Sequence, residues 1–320
     1  MNKSEKTANI SFMERIEELQ NLVKEDPSNF QAMRELAVAL LEIGENEEAL
    51  KNLFYLVGIF PEDARLHYNI GIIWEKLKYI DKAIESYQKA LNINPNEPDF
   101  QYNLGCAYIQ KKLFDEALEL FEQVLEDDPE DSNCHFNIGY IYSKKNLSGQ
   151  AIKHLEKTLS INEEDCIARF YLAFEYKRTG DVDRAIQEYN QVLKSCPDYS
   201  WAHFNLGSIY WELQDIDLAA SHLQKTIEIN PKDIDAIKLF SQVLVHQNNL
   251  TQALELLQQT VEENPLCADL YYYLAQIFKK LEDTESYEKY LKMTINNHST
   301  LSFHPKHVKK ELEIFLKKKK

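Results

Sequence analysis

Residues 98–131 read PDFQYNLGCAYIQKKLFDEALELFEQVLEDDPED, and residues 132–165 read SNCHFNIGYIYSKKNLSGQAIKHLEKTLSINEED. Laid one over the other, they pair Leu104 with Ile138, Gly105 with Gly139, Tyr108 with Tyr142, Ala117 with Ala151 and Phe121 with Leu155. The same beat runs outward in both directions. Alanine stands at 49, 83, 117, 151, 185, 219 and 253; proline stands at 27, 61, 95, 129, 197, 231 and 265, with Glu163 in the one slot left over. A fixed period of this size marks a stack of supersecondary units, each burying its apolar face only against its neighbours.

Starting the units at 30, 64, 98, 132, 166, 200, 234 and 268 gives eight of them without an insertion. Position 7 is then always large and apolar (Leu36, Ile70, Leu104, Ile138, Leu172, Leu206, Phe240, Leu274). Position 8 is always small, and position 11 is large and usually aromatic, as in Trp74, Tyr108, Tyr142, Tyr176 and Tyr210. That spacing is one face of a helix. A second helix opens on an acidic residue at position 18 (Glu47, Asp81, Asp115, Asp183, Asp217, Glu285), where a carboxylate favours the helix dipole. It presents alanine at position 20 and Leu, Tyr or Phe at position 24, and the proline at position 32 ends it. Gly44 and Gly180 mark the turn between the two helices, where a left-handed residue is cheap.

This small-8, aromatic-11, Ala-20, Pro-32 pattern resembles the tetratricopeptide repeat and covers residues 30–299. It departs at position 4, where the family often has Trp and this chain has His67, Gln101, His135, Arg169 and His203. It departs again in the last unit, with Tyr287 for alanine and Ser299 for proline. The resemblance implies an all-α, right-handed α-solenoid, a superhelix of helix-turn-helix repeats with capping helices at both ends. The expected organisation is an N-terminal segment with a half-repeat helix (1–29), eight repeats (30–63, 64–97, 98–131, 132–165, 166–199, 200–233, 234–267, 268–299) and a capping helix with a lysine tail (300–320). Leu19 and Leu22 are expected to face inward from the first cap; Val308, Leu312 and Phe315 lie on one face of the last.

The apolar fraction of 44%, with 11% aromatics, argues against disorder, and a solenoid lengthens without needing a second core. Cys106, Cys134, Cys166, Cys196 and Cys267 form no CxxC pair and fit reduced thiols in a cytoplasmic protein. With no apolar run approaching 18 residues, neither a secretory signal nor a membrane span is expected. A net charge of −16 makes nucleic acid an unsuitable partner, since phosphate binding needs clustered positive charge. The exception is local, in Lys306, Lys309, Lys310 and Lys317 to Lys320.

No phosphate loop, HExxH or nucleophile elbow occurs, so no catalytic residue and no cofactor are expected. His304 and His307 have a spacing that suits a metal, but two ligands rarely suffice, so no metal is expected either. The informative positions are 2, 5, 6, 9, 12 and 13 of the first helix, which line the concave groove in the family. Position 6 carries Asn69, Asn103, Asn137 and Asn205. The resemblance implies a ladder of amides gripping an extended peptide; equally, these asparagines bridge neighbouring repeats. The aromatic column at position 5 (Tyr68, Tyr102, Phe136, Phe170, Phe204, Tyr272) reads as packing. Tyr140, Ile167, Tyr171, Phe174, Trp201 and Trp211 exceed what the core pattern needs and read as a binding patch. Lys144, Lys177 and Arg178 fall beside it, so an acidic flank on the ligand is tolerated. The family's clamp for chaperone C-terminal carboxylates needs asparagine at position 9, which no repeat has.

The expected function is a non-catalytic scaffold or adaptor that binds a peptide or protein segment in the groove. Two alternatives stand beside it: a substrate-recruiting subunit for a partner enzyme such as a peptide glycosyltransferase, and a membrane-proximal assembly factor held by the lysine tail.

Overall fold

A computed structural model describes residues 3–319, with side chains over 12–317. Eighteen α-helices run in chain order among the described residues, and no strand occurs among them. They divide into two compact units, Met1–Glu163 and Glu164–Lys320. The first holds α1 (Lys3–Glu25), α2 (Phe30–Ile43), α3 (Asn46–Ile59), α4 (Ala64–Lys76), α5 (Ile80–Ile93), α6 (Pro98–Gln110), α7 (Phe114–Asp127), α8 (Ser132–Lys144) and α9 (Ser148–Ile161). The second holds α10 (Cys166–Thr179), α11 (Val182–Ser195), α12 (Ser200–Glu212), α13 (Ile216–Ile229), α14 (Ile234–His246), α15 (Leu250–Glu263), α16 (Ala268–Lys280), α17 (Thr284–Asn296) and α18 (Lys306–Lys319). From α2 to α17 the helices pack in antiparallel hairpins, α2 on α3, α4 on α5 and onward, and each hairpin packs on the next within its unit.

The columns read in the sequence form part of the core of every hairpin, and positions 3 and 10 add two further buried columns. The alanines from Ala49 to Ala253 are fully buried, as are Tyr87, Phe121, Leu155, Tyr189, Leu223, Leu257 and Leu291 at position 24. The small residue at position 8 is needed because that large side chain lies on it. A Cβ added to Gly71 would stand 2.5 Å from the Tyr87 ring, and one added to Gly207 would stand 2.7 Å from Leu223 Cγ. Such approach is closer than packed atoms allow. Apart from the buried Tyr176, the position-11 aromatics are half-buried, and Tyr210 stacks on His222 at 5.6 Å.

Three regularities belong to the structure alone. Position 15 of all eight hairpins is left-handed: Gly44 and Gly180, but also Lys78, Lys112, Asn146, Gln214, Asn248 and Glu282 at φ 60–65°. Position 27 is another buried column, where Thr158, Thr226, Thr260 and Thr294 each donate to the carbonyl four residues back. That bond satisfies a buried hydroxyl without a partner helix. The chemically mixed position 4 has one shared role in five of the eight hairpins. His67, Gln101, His135, His203 and Tyr271 each reach the carbonyl of the proline six residues earlier, at 2.9–3.1 Å. The carbonyl wants a donor, and imidazole, amide or phenol supplies one.

The ends cover the terminal hairpins. Ile16 and Leu19 of α1 are buried, with Phe12 and Val23 packed beside them. Leu22 does not face inward as expected: it is 42% exposed, because the buried face of α1 runs through 12, 16, 19 and 23 at helical spacing. At the other end Val308 is fully buried against Ala275, Tyr287 and Leu291, with Leu312 and Phe315 alongside. Glu311 accepts from Lys279, Tyr287 and Gln276. The side chains of Lys318 to Lys320 lie outside the described residues.

Candidate functional site

Because successive hairpins repeat every 34 residues, their first helices lie side by side, and polar side chains bridge them at separations of 31 and 35. In the first unit Asn103 Nδ2 donates to the Tyr68 hydroxyl at 2.7 Å and to the Asp99 carbonyl at 2.8 Å. Asn137 Nδ2 donates to the Tyr102 hydroxyl at 3.2 Å. The amide donors of both asparagines are thus engaged within the stack, joining position 6 of one hairpin to position 5 of the one before. Asn205, in the second unit, is buried and donates to the Trp201 carbonyl on its own helix at 2.8 Å. Asn69 lines a cleft with Val38 and Glu42 of α2 and Asp99 of α6. The four amides therefore do not present a uniform row of donors.

The position-5 aromatics pack. Tyr68 lies 4.7 Å from Phe100 and 5.7 Å from Tyr87, and Phe170 lies 5.7 Å from Tyr189 and 5.2 Å from Tyr199, all between ring centroids. Burial raises the Tyr68 hydroxyl to about 12, with Asp99 next among the causes, so it stays a neutral acceptor for Asn103.

In the second unit the residues read as a binding patch separate into two kinds. Trp201, in the first turn of α12, is 60% exposed; Ile167 on α10 is 51% exposed and Phe174 37%. These large apolar groups stand in water on the first helices, where the hairpin core does not use them. Tyr171 is half-buried edge-on to Phe170 at 5.5 Å. Trp211 meets His246 edge-on at 5.7 Å and lines a cleft with Gln242, His246 and Tyr273, so it is a wall rather than a projection. In the first unit Tyr140 is half-buried on α8, stacked on Phe136, with Lys144 Nζ 5.0 Å above its ring.

The cations have internal partners. Arg178 pairs at 2.5 Å with Glu175, whose side chain is fully buried. Lys177 Nζ donates to Ser208 Oγ at 3.0 Å and lies 3.9 Å from Glu212. Burial holds the Lys177 ammonium below its usual value, against the opposing pull of Glu212. The expected basic flank is correspondingly weaker: Arg178 neutralises a buried carboxylate, and Lys177 ties α10 to α12. Glu175 stands at position 10, where the other seven hairpins hold a buried Ala, Ile or Val, so the carboxylate that breaks this apolar column was a signal present in the sequence.

Among the described residues no cluster of three or more metal-ligating side chains occurs, and no helix is long and apolar enough to cross a membrane. His304 Nδ1 accepts from the Lys306 backbone.

Comparison with known proteins bears on this arrangement. Models described as tetratricopeptide repeat match residues 12–64, 79–135, 120–153 and 210–277, and one described as TPR repeat matches 175–214. No curated protein matches the chain in sequence. Among solved structures, that of Pseudomonas aeruginosa PilF is 20% identical over 68% of this chain and 97% of its own, with a TM-score of 0.58. The APC/C hetero-tetramer of Cut9 and Hcn1 gives 16% identity over 83% of this chain and 52% of its own, with a TM-score of 0.59. MamA from Desulfovibrio magneticus RS-1 gives 22% identity over 54% and 97%, with a TM-score of 0.51. At such identities the likeness bears on the fold alone.

Proposed function

The chain belongs to the tetratricopeptide repeat family, and from that premise we propose that it is a non-catalytic scaffold or adaptor that binds a peptide or protein segment on the first-helix face of its hairpins. The observation that carries the reading is the exposure of Trp201, Ile167 and Phe174 on that face. Large exposed apolar groups that the core does not need are the usual anchors of a protein interface. The acidic balance of the chain supports a protein partner rather than a nucleic acid. The five free cysteines accord with a cytoplasmic setting.

The contribution of Asn69, Tyr140, Tyr171, Trp211, Lys144 and Lys177 to the ligand is secondary in this reading. Asn103, Asn137, Asn205 and Arg178 set the shape of the face through their internal bonds. The test is enrichment of partners on the intact chain against the double variant Phe174→Ala, Trp201→Ala. Partner binding should weaken by at least about 2 kcal/mol, as for hot-spot residues. The melting temperature should stay nearly unchanged. Intact binding by the variant, or a sharp drop in melting temperature, would make these packing residues and end the proposal.

A further inference from the structure

Cys166 and Cys196 are 30 residues apart in sequence, yet their sulfurs stand 2.6 Å apart. A disulfide holds its sulfurs at about 2.05 Å. The reason for the juxtaposition lies in the repeat. Cys166 is the first residue of α10, after the capping Asp165, and Cys196 caps the end of α11, its backbone N–H bonded to the Val192 carbonyl. Positions 1 and 31 of a hairpin therefore face each other across its open end. In the first hairpin the same two positions hold Phe30 and Phe60, whose rings meet edge-on at 5.2 Å. Both thiols are free and neither is fully buried, so a small oxidant reaches them.

We propose that Cys166 and Cys196 form a reversible disulfide that staples the open end of the fifth hairpin, with a low-molecular-weight disulfide such as oxidised glutathione as the oxidant. The Cys196 thiolate attacks one sulfur of the oxidant, forming a mixed disulfide and releasing one glutathione thiolate. The Cys166 thiolate then attacks the Cys196 sulfur, and the second glutathione leaves. Two protein thiols lose two electrons and two protons, and the oxidant is reduced to two thiols. Burial, then the Cys196 thiol beside it, pushes Cys166 up to about 11, which suits it to the second, intramolecular step, where proximity compensates for a low thiolate fraction. The staple joins the first turn of α10, which carries the exposed Ile167, to the segment leading into α12 and Trp201. This holds whatever that face binds.

The test uses the full chain, reduced, desalted and incubated with oxidised glutathione at mildly alkaline pH, then alkylated and mapped by mass spectrometry. One cross-link between the peptides carrying Cys166 and Cys196 is expected, with Cys106, Cys134 and Cys267 alkylated after unfolding. Backbone hydrogen exchange at the start of α10 and the end of α11 should slow by about tenfold on oxidation and recover with reductant. Cys166→Ser should trap Cys196 as a lasting glutathione adduct, its helical circular dichroism checked against wild type. Cys196→Ser should leave no cross-link and no protection. Both thiols remaining alkylatable, a persistent glutathione adduct on the wild type, or a bond to another cysteine would overturn the proposal.

Discussion

A lysine at φ 60° is an unusual place for an L residue, and Lys112 occupies it at the turn between α6 and α7. The left-handed region costs such residues about 1–2 kcal/mol, while glycine loses about 0.5–1 kcal/mol more chain entropy. Lys112→Gly is therefore expected to stabilise the protein by about 0.5–1 kcal/mol in urea denaturation, and a loss would contradict the account. The histidine pairs make a second residue-scale case. His135 and His203 bind proline carbonyls through Nε2, and their Nδ1 atoms meet those of His154 and His222 at 3.1 and 3.0 Å. Because each outer ring gives its Nε2 hydrogen to the carbonyl, its Nδ1 accepts from the Nδ1–H of the inner ring, and charging the inner ring is opposed by its burial. Burial, then the paired histidine, lowers His154 and His222 from 6.5 to about 4. The unfolded chain thus takes these protons more readily, and stability falls as pH drops from about 6.5 to about 4. With the rings only half-buried, on the order of 1 kcal/mol per pair is expected. Replacing His154 and His222 by Leu, the residue at the matching position 120, should flatten the denaturation midpoint between pH 7 and about 4.5 by that much. An unchanged pH slope would show that the pairs do not govern it.

Each hairpin is the smallest element with its own core, and its contacts reach only its neighbours. Ala117 is fully buried where α7 meets α6. Ala117→Leu should overpack that contact at about 1–3 kcal/mol. Hydrogen exchange should quicken in α5 to α8 and little elsewhere, because stability in such a stack is a sum of local and nearest-neighbour terms. Uniform loss of protection along the chain would refute this. The hairpins were legible in the sequence because the packing is strictly periodic: one face fixes positions 7, 8, 11, 20 and 24 in every unit. Position 4 was not legible, because five hydrogen-bond donors of three kinds share one role and a pattern of residue types hides it.

A stack of hairpins must end somewhere, and the last apolar face needs cover. Tyr287 is nearly buried, its hydroxyl donating to Glu311 at 2.8 Å and its ring edge-on to Phe315 at 5.0 Å, both on α18. Deleting residues 303–320 should lower the melting temperature or drive self-association, read by calorimetry and light scattering. Full stability with lost binding to anionic liposomes would instead assign the lysines to a membrane surface.

The sequence by itself determined the helical hairpin, its length, its small and large contact points and its family, because those follow from a period repeated many times over. Only the tertiary structure decided which polar side chains are free to meet a ligand. Arg178 and Asn103 look available in the sequence, yet one neutralises the buried Glu175 and the other bonds to Tyr68 in the preceding hairpin. Trp201 and Phe174 read in the sequence as one patch with Tyr171 and Trp211, yet the first two are exposed and the other two half-buried. Cys166 and Cys196 look remote and are in contact. The physical reason is common to all of them: periodicity fixes which face a side chain leaves from, while its partner comes from another helix and is set by packing.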